Sequence, residues 1–236
     1  MVYKSEDGRV LETNEFMFGD YEIAYALCSN GDVIENFYDK NVLSVLLADT
    51  MGHDKEIGDD FKRYLSLKRK FGWGTGHDAE RELSSLSRNF PRNEVGYETT
   101  PWNPYASFVK INRDSGLVQI ANAGLEKPIY RDSKGNIETL DLFGNLEFYN
   151  RTDHSPTYKT EMKSGEMIIL QSDGIKENME EFHGMNSNEY LHKMLKYSNS
   201  ASDLVSKIVD QDSLGRYCLP KDDSYDDISV LVVRKN

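Results

Sequence analysis

Apolar runs in this chain repeatedly meet an aspartate at one end. "NVLSVLLA" (41–48) stops at Asp49, "GEMIILQS" (165–172) stops at Asp173, and "YDDISVLVVRK" opens its run at Asp226 and Asp227. Runs this short and apolar read as buried strands, and the first is apolar enough to be buried on both faces. One aspartate at a strand end is an ordinary turn former. Several, at strand ends of matched polarity, become carboxylates delivered to a single rim.

The rest of the chain supplies the partners such strands need. "DYEIAYAL" (20–27) alternates and is rich in aromatic and β-branched residues, so it reads as a strand, followed by the Asn-Gly turn signal in "SNGD" (29–32). "YASFVKI" (105–111), the turn "NRDSG" and "LVQIANA" (117–123) form a hairpin. "KPIYRD" and "GNIETLD" continue it as a meander. Charged, helix-favouring sequence predicts helices over 55–70 and 78–89, broken at "GWGTG" (72–76), and residues 90–104 read as loop. Two further helices are predicted over 187–197 and 202–212, with Ser187 and Ser202 as N-caps. Their buried stripes are Tyr190, Leu191, Met194, Leu195 and Leu204, Val205, Ile208, Val209. With no repeat, low-complexity tract or linker, the 236 residues are expected to form one domain over 1–236.

Composition narrows the partners. A formal net charge of −12 argues against a nucleic-acid backbone. No run is long enough to cross a membrane and "MVYKSEDGRV" lacks a signal peptide's apolar stretch, so a cytoplasmic location is expected. Cys28 and Cys218 are the only cysteines, read as reduced thiols. The five histidines form no zinc-binding spacing.

Asp20 starts a strand and Asp49 ends the next run, about a dozen residues of connection later; if those two runs pair antiparallel, both acids lie at one edge. Asp173 and Asp226 meet by the same argument. No Arg or Lys adjoins any of the four in sequence. Converging carboxylates without cations repel each other unless a metal neutralises them, and hard divalent ions take all-oxygen shells of this kind.

The blocks "FGDYEIAYAL", "VLLADTMGHD", "YASFVKINRDSGLVQIANAGLEKPIYR", "SGEMIILQSDGIKEN" and "DDISVLVVRK" resemble, in order, the signature blocks of the metal-dependent PPM (protein phosphatase 2C) superfamily, and more closely its bacterial SpoIIE/RsbU/RsbX branch. The resemblance implies an α+β fold, a four-layer αββα sandwich of two antiparallel sheets flanked by helices. It implies two Mn or Mg ions held by Asp20, Asp49, the Thr50 carbonyl, Asp173 and Asp226. A hydroxide bridging the ions would attack phosphoserine or phosphothreonine, Asp49 bridging both ions and His53 donating a proton to the leaving oxygen. Asp227 is expected to steady the site's loop, and Asn122 and Gly124 to shape a tight turn. The implied partner is a phosphorylated protein: a STAS-domain antagonist of an anti-sigma factor, or a stressosome protein.

The chain departs from the pattern at Asp54, where the family has glycine, and at Leu125, where histidine is frequent. Glu15 and Phe16 stand where eukaryotic members carry a phosphate-holding arginine. Two other readings compete: a catalytically weak module of this fold that senses or sequesters a signalling partner, and a small-molecule phosphohydrolase. The chain is either a stand-alone enzyme or an excised catalytic domain. Residues 54–90 are either a glycine-hinged switch acting on Thr50 or a plain helical cover.

Overall fold

The computed structural model describes residues 2–4, 10–29, 31–50, 55–89, 105–142, 157–183, 186–209 and 227–236. Counts and absences given below refer to these. Two sheets carry the architecture, and every strand pair in both is antiparallel.

The seven-stranded sheet contains β1 (Val2–Lys4), β2 (Val10–Phe18), β3 (Tyr21–Cys28), β8 (Ile129–Arg131), β9 (Ile137–Thr139), β11 (Met167–Gln171) and β12 (Ile228–Lys235). Their spatial order is β1-β2-β3-β12-β11-β8-β9. The five-stranded sheet is built from β4 (Val33–Asp39), β5 (Val42–Asp49), β6 (Tyr105–Asn112), β7 (Leu117–Ala123) and β10 (Thr157–Glu161), in the order β10-β7-β6-β5-β4. The helices are α1 (Lys55–Lys70), α2 (Ala79–Asn89), α3 (Gly174–His183), α4 (Ser187–Lys196) and α5 (Ala201–Val209).

Three apolar cores make this an αββα sandwich. Between the sheets, Ile23, Tyr25 and Leu27 of β3 and Leu231 and Val233 of β12 meet Leu43, Val45 and Leu47 of β5. The opposite faces of the same strands are buried too. Ala24, Ala26, Val230 and Val232 pack against Leu191, Leu195, Leu204 and Ile208 of α4 and α5. Leu46, Ala48 and Phe108 pack against Phe61, Leu65, Leu83 and Leu86 of α1 and α2. Central strands between two layers have no solvent face, which is why they read as continuous apolar runs. Alanines on the helix side of β3 leave room for a helix to lie close.

The α+β expectation holds, and helix 55–70 appears with those bounds as α1. Several details differ. Asn186, not Ser187, caps α4, its side chain accepting from the Glu189 N–H. At α5 it is Ser200 Oγ that accepts, from the Asp203 N–H at 2.9 Å, so the cap lies two residues before Ser202. The strand pair β8–β9 does not continue the β6–β7 hairpin but crosses to the other sheet. The segment after Asp173 forms α3, and β2 and β4 are strands where none was expected.

The break between α1 and α2 is anchored. Trp73 sits edge-on to Phe37 at 4.8 Å between centroids, and its Nε1 donates to the Glu82 carbonyl at 2.9 Å and Ser85 Oγ at 2.8 Å. Ser44 Oγ donates to the Gly74 carbonyl. Lys110, buried on β6, reaches outward to donate to the Thr75 carbonyl at 2.9 Å and also to that of His77. Burial lowers the Lys110 pKa, partly offset by Glu82 and Asp78. Five side-chain hydrogen bonds from sheet and helix fix a segment whose glycines suggested a pivot. Helical cover is the reading this geometry supports.

Candidate active site

Strand register decides which ends meet. Cys28, closing β3, lies opposite Ile228, opening β12, while Gln171, closing β11, lies opposite Val230. In the other sheet Ala48 lies opposite both Val33 and Ala106, and Ala106 opposite Ala123. The short connection from β3 to β4 crosses between the sheets, so all these ends share one rim. Asp49, Thr50, Asp173 and Asp227 stand on it.

Asp20 does not. It sits in the turn between β2 and β3, exposed, and its carbonyl accepts from the Asn236 N–H at 2.7 Å at the far end of β12. Across the 8 residues of β3, at about 3.3 Å each, it is roughly 26 Å from the rim. The expectation that Asp20 joins the other acids is therefore corrected, and the cause is β4. With a strand between them, β3 and β5 run the same way, so the start of one and the end of the other lie at opposite ends.

The rim carries a different acid that the sequence reading passed over. Asp32, in the crossing segment, is only 4% exposed, and its Oδ2 accepts from Ser229 Oγ at 2.6 Å. Ser29 Oγ in turn accepts from the Gly31 and Asp32 N–H groups and donates to Asp227 Oδ2 at 2.6 Å. Gly31 N–H also donates to Asp227 Oδ2, at 3.0 Å, so this buried carboxylate ties down the crossing segment. Thr50 Oγ1 donates to the Gly31 carbonyl at 2.7 Å, coupling the end of β5 to the same segment. The signal for Asp32 was present in "SNGD": an aspartate entering the overlooked strand β4. The Asn-Gly pair beside it reads only as a turn.

Ser172 and Ser229 join β11 and β12 at the rim. Ser172 Oγ accepts from the Ser229 N–H at 2.9 Å and donates to the Asp227 carbonyl at 3.2 Å. The next residue, Asp173, accepts through its carbonyl from the Glu177 N–H at 2.9 Å and so starts α3. Its Oδ1 is buried with no hydrogen-bond partner in the structure, a costly state for a carboxylate oxygen unless something else engages it. On the opposite side of the rim Asn122 is fully buried. It accepts from Ser107 Oγ and donates to the carbonyls of Leu125 at 2.9 Å and Leu142 at 2.8 Å. Gly124, at φ 87°, makes the tight turn that this arrangement needs.

His53, Asp54 and Asp226 lie outside the described residues, as does the 90–104 stretch expected to be loop. Among the described residues no three His, Cys, Asp or Glu side chains cluster as a ready metal site. No described helix is long and apolar enough to cross a membrane.

Two antiparallel sheets between helical layers, with buried acids at one shared rim, define a PP2C-type sandwich. The sequence profile of Stage II sporulation protein E (SpoIIE) matches residues 39–236, and the chain belongs to that family. The resemblance to the SpoIIE/RsbU/RsbX branch of PPM phosphatases is thereby borne out. Among solved structures it is similar to RsbX in complex with magnesium, at 15% identity and TM-score 0.69 over 95% of this chain and 100% of that one. The PP2C phosphatase domain of SpoIIE from Bacillus subtilis, with a fragment of its regulatory domain, matches at 13% identity and TM-score 0.68, over 95% and 71%. The catalytic domain of the serine/threonine phosphatase PstP in complex with two manganese ions matches at 12% and 0.54, over 91% and 98%. No curated protein is similar enough in sequence to match.

Proposed function

We propose that this protein is a metal-dependent phosphoserine/phosphothreonine protein phosphatase of bacterial signalling. The observation that carries the reading is Asp173, whose buried Oδ1 has no hydrogen-bond partner at the rim where Asp32, Asp49 and Asp227 also stand. An all-oxygen donor set with a buried, unengaged carboxylate oxygen fits magnesium or manganese. Asp49, the Thr50 carbonyl, Asp173 and Asp226 would hold the ions, with Asp32 taking the place first given to Asp20. When bound, two such ions supply an acidified water and neutralise charge on the phosphoryl oxygens.

The chain's own residues do the remainder. Ser229 and Ser29 fix the Asp32 and Asp227 carboxylates, so the rim is organised before substrate arrives. In the reaction a water oxygen bonds to phosphorus as the bond to the serine or threonine oxygen breaks. His53 would pass a proton to that leaving oxygen. The substrate would be a phosphorylated regulatory protein, such as a STAS-domain antagonist of an anti-sigma factor or a stressosome component, as the resemblance implies.

The test is phosphate release from a phosphoserine peptide with and without manganese. Turnover that needs added metal and stops in excess chelator is expected. Metal-independent turnover, or none with any divalent ion, would overturn the reading in favour of a binding module.

A further inference from the structure

The rim is acidic, and a phosphoprotein approaches it as an anion. Asp32, Asp49, Asp173 and Asp227 all stand there, with Glu126 three residues beyond the end of β7. One lysine crosses this edge. Lys176 lies in the first turn of α3, three residues after Asp173, and its Nζ donates to Glu126 Oε1 at 3.1 Å. Glu126 follows a strand of the five-stranded sheet and α3 follows a strand of the seven-stranded sheet, so this ion pair spans the rim from one sheet to the other. The Lys176 side chain is 45% exposed. The neighbouring Glu126 carboxylate raises its pKa, with Glu180 and Asp173 adding to the effect, so the ammonium stays charged.

Helix stability does not explain this placement. A cation in the first turn of a helix works against the macrodipole, and an exposed ion pair adds little to folding. Lys127, next to Glu126, is bonded to Asp141 at 2.6 Å. A lysine ammonium on a flexible four-carbon stem suits a phosphate monoester, to which it presents three donors.

We infer that Lys176 docks the phosphoryl group of the substrate, with Glu126 holding it across the rim until phosphate displaces the carboxylate. This rests on the phosphatase reading and adds a recognition residue to it.

The experiment compares Lys176→Ala, Lys176→Arg and Glu126→Gln in the full chain. Each is assayed for hydrolysis of a phosphoserine peptide and for calorimetric binding of inorganic phosphate in magnesium buffer. Lys176→Ala should raise both KM and the phosphate Kd by about threefold to tenfold, with kcat within about twofold. Lys176→Arg should restore most of the affinity. Glu126→Gln should move KM and Kd the opposite way, downward by about twofold, because it removes the competing anion, and high salt should shrink every difference. A purely structural staple would instead make Lys176→Ala and Glu126→Gln shift in the same direction. That result, or an unchanged phosphate Kd in Lys176→Ala, overturns the inference. Should the parent protein release no phosphate, the phosphatase reading fails while the calorimetric arm still decides on Lys176.

Discussion

Asp32 owes its place to a hydroxyl on another strand. Ser229 Oγ holds its Oδ2, and the Ser29 hydroxyl that organises the same crossing segment is itself held by Asp227. A carboxylate this buried and this directed is well placed to serve an ion, whereas Asp20 lies in an exposed turn at the other end of β3. Asp32→Asn should therefore cut manganese-supported turnover by about a hundredfold or more while leaving the fold intact. Asp20→Asn should stay within about twofold of the parent. Measuring kcat for both at saturating and limiting manganese checks the assignment, and equal losses in the two variants would refute it. No pairing of Asp20 with Asp49 could be judged from residue type, since both look alike in sequence. Only the number of strands between them told them apart.

Among the elements, the α1–α2 break shows how a sequence signal can mislead about motion. Glycines at 72, 74 and 76 read as freedom, but at Gly74, φ 95°, the backbone lies so close to Phe37 that a Cβ would come within 2.8 Å of that residue's own Cβ. The glycine is there for close approach. Gly74→Ala should destabilise the domain by about 1–3 kcal/mol through overlap and a disfavoured backbone conformation. Gly76→Ala meets only the Gly72 carbonyl at 3.4 Å and should cost less than about 0.5 kcal/mol. Urea unfolding midpoints of the two variants check this, and equal midpoints would mean that the connector yields. Helix α1 was legible with its ends because its charge and apolar spacing are local properties. Strand β4 was not: its buried residues Val33, Ile34 and Phe37 do not alternate, since Phe37 faces α1 and α2 while Ile34 faces the other sheet.

At the scale of the whole molecule, binding at the rim and stability are linked. Under the proposed function, ions held by acids from both sheets would bind the folded chain and not the unfolded one, so manganese should raise the melting temperature. At a hundredfold excess over Kd the gain is about 2.7 kcal/mol. Asp173→Asn should lose most of that shift while matching or exceeding the parent's stability without metal, because it removes one charge from a set of mutually repelling acids. Scanning calorimetry with and without manganese measures both quantities, and an unchanged shift in Asp173→Asn would remove that residue from the ion's shell.

What the sequence determined by itself was the layered character of the fold. Continuous apolar strands require cover on both faces, and Leu204, Val205, Ile208 and Val209 in α5 provide it as their spacing implies. It also determined that acids stand at strand ends, because an apolar run stopping at Asp49 or Asp173 is written in the order of residues. Which acids share a rim was decided only in three dimensions. Strand direction depends on how many strands the chain has already made, and the sheet to which each belongs depends on packing between distant segments. One unrecognised strand, β4, therefore left Asp49 and Asp173 where expected, sent Asp20 to the far end, and brought Asp32 in its place.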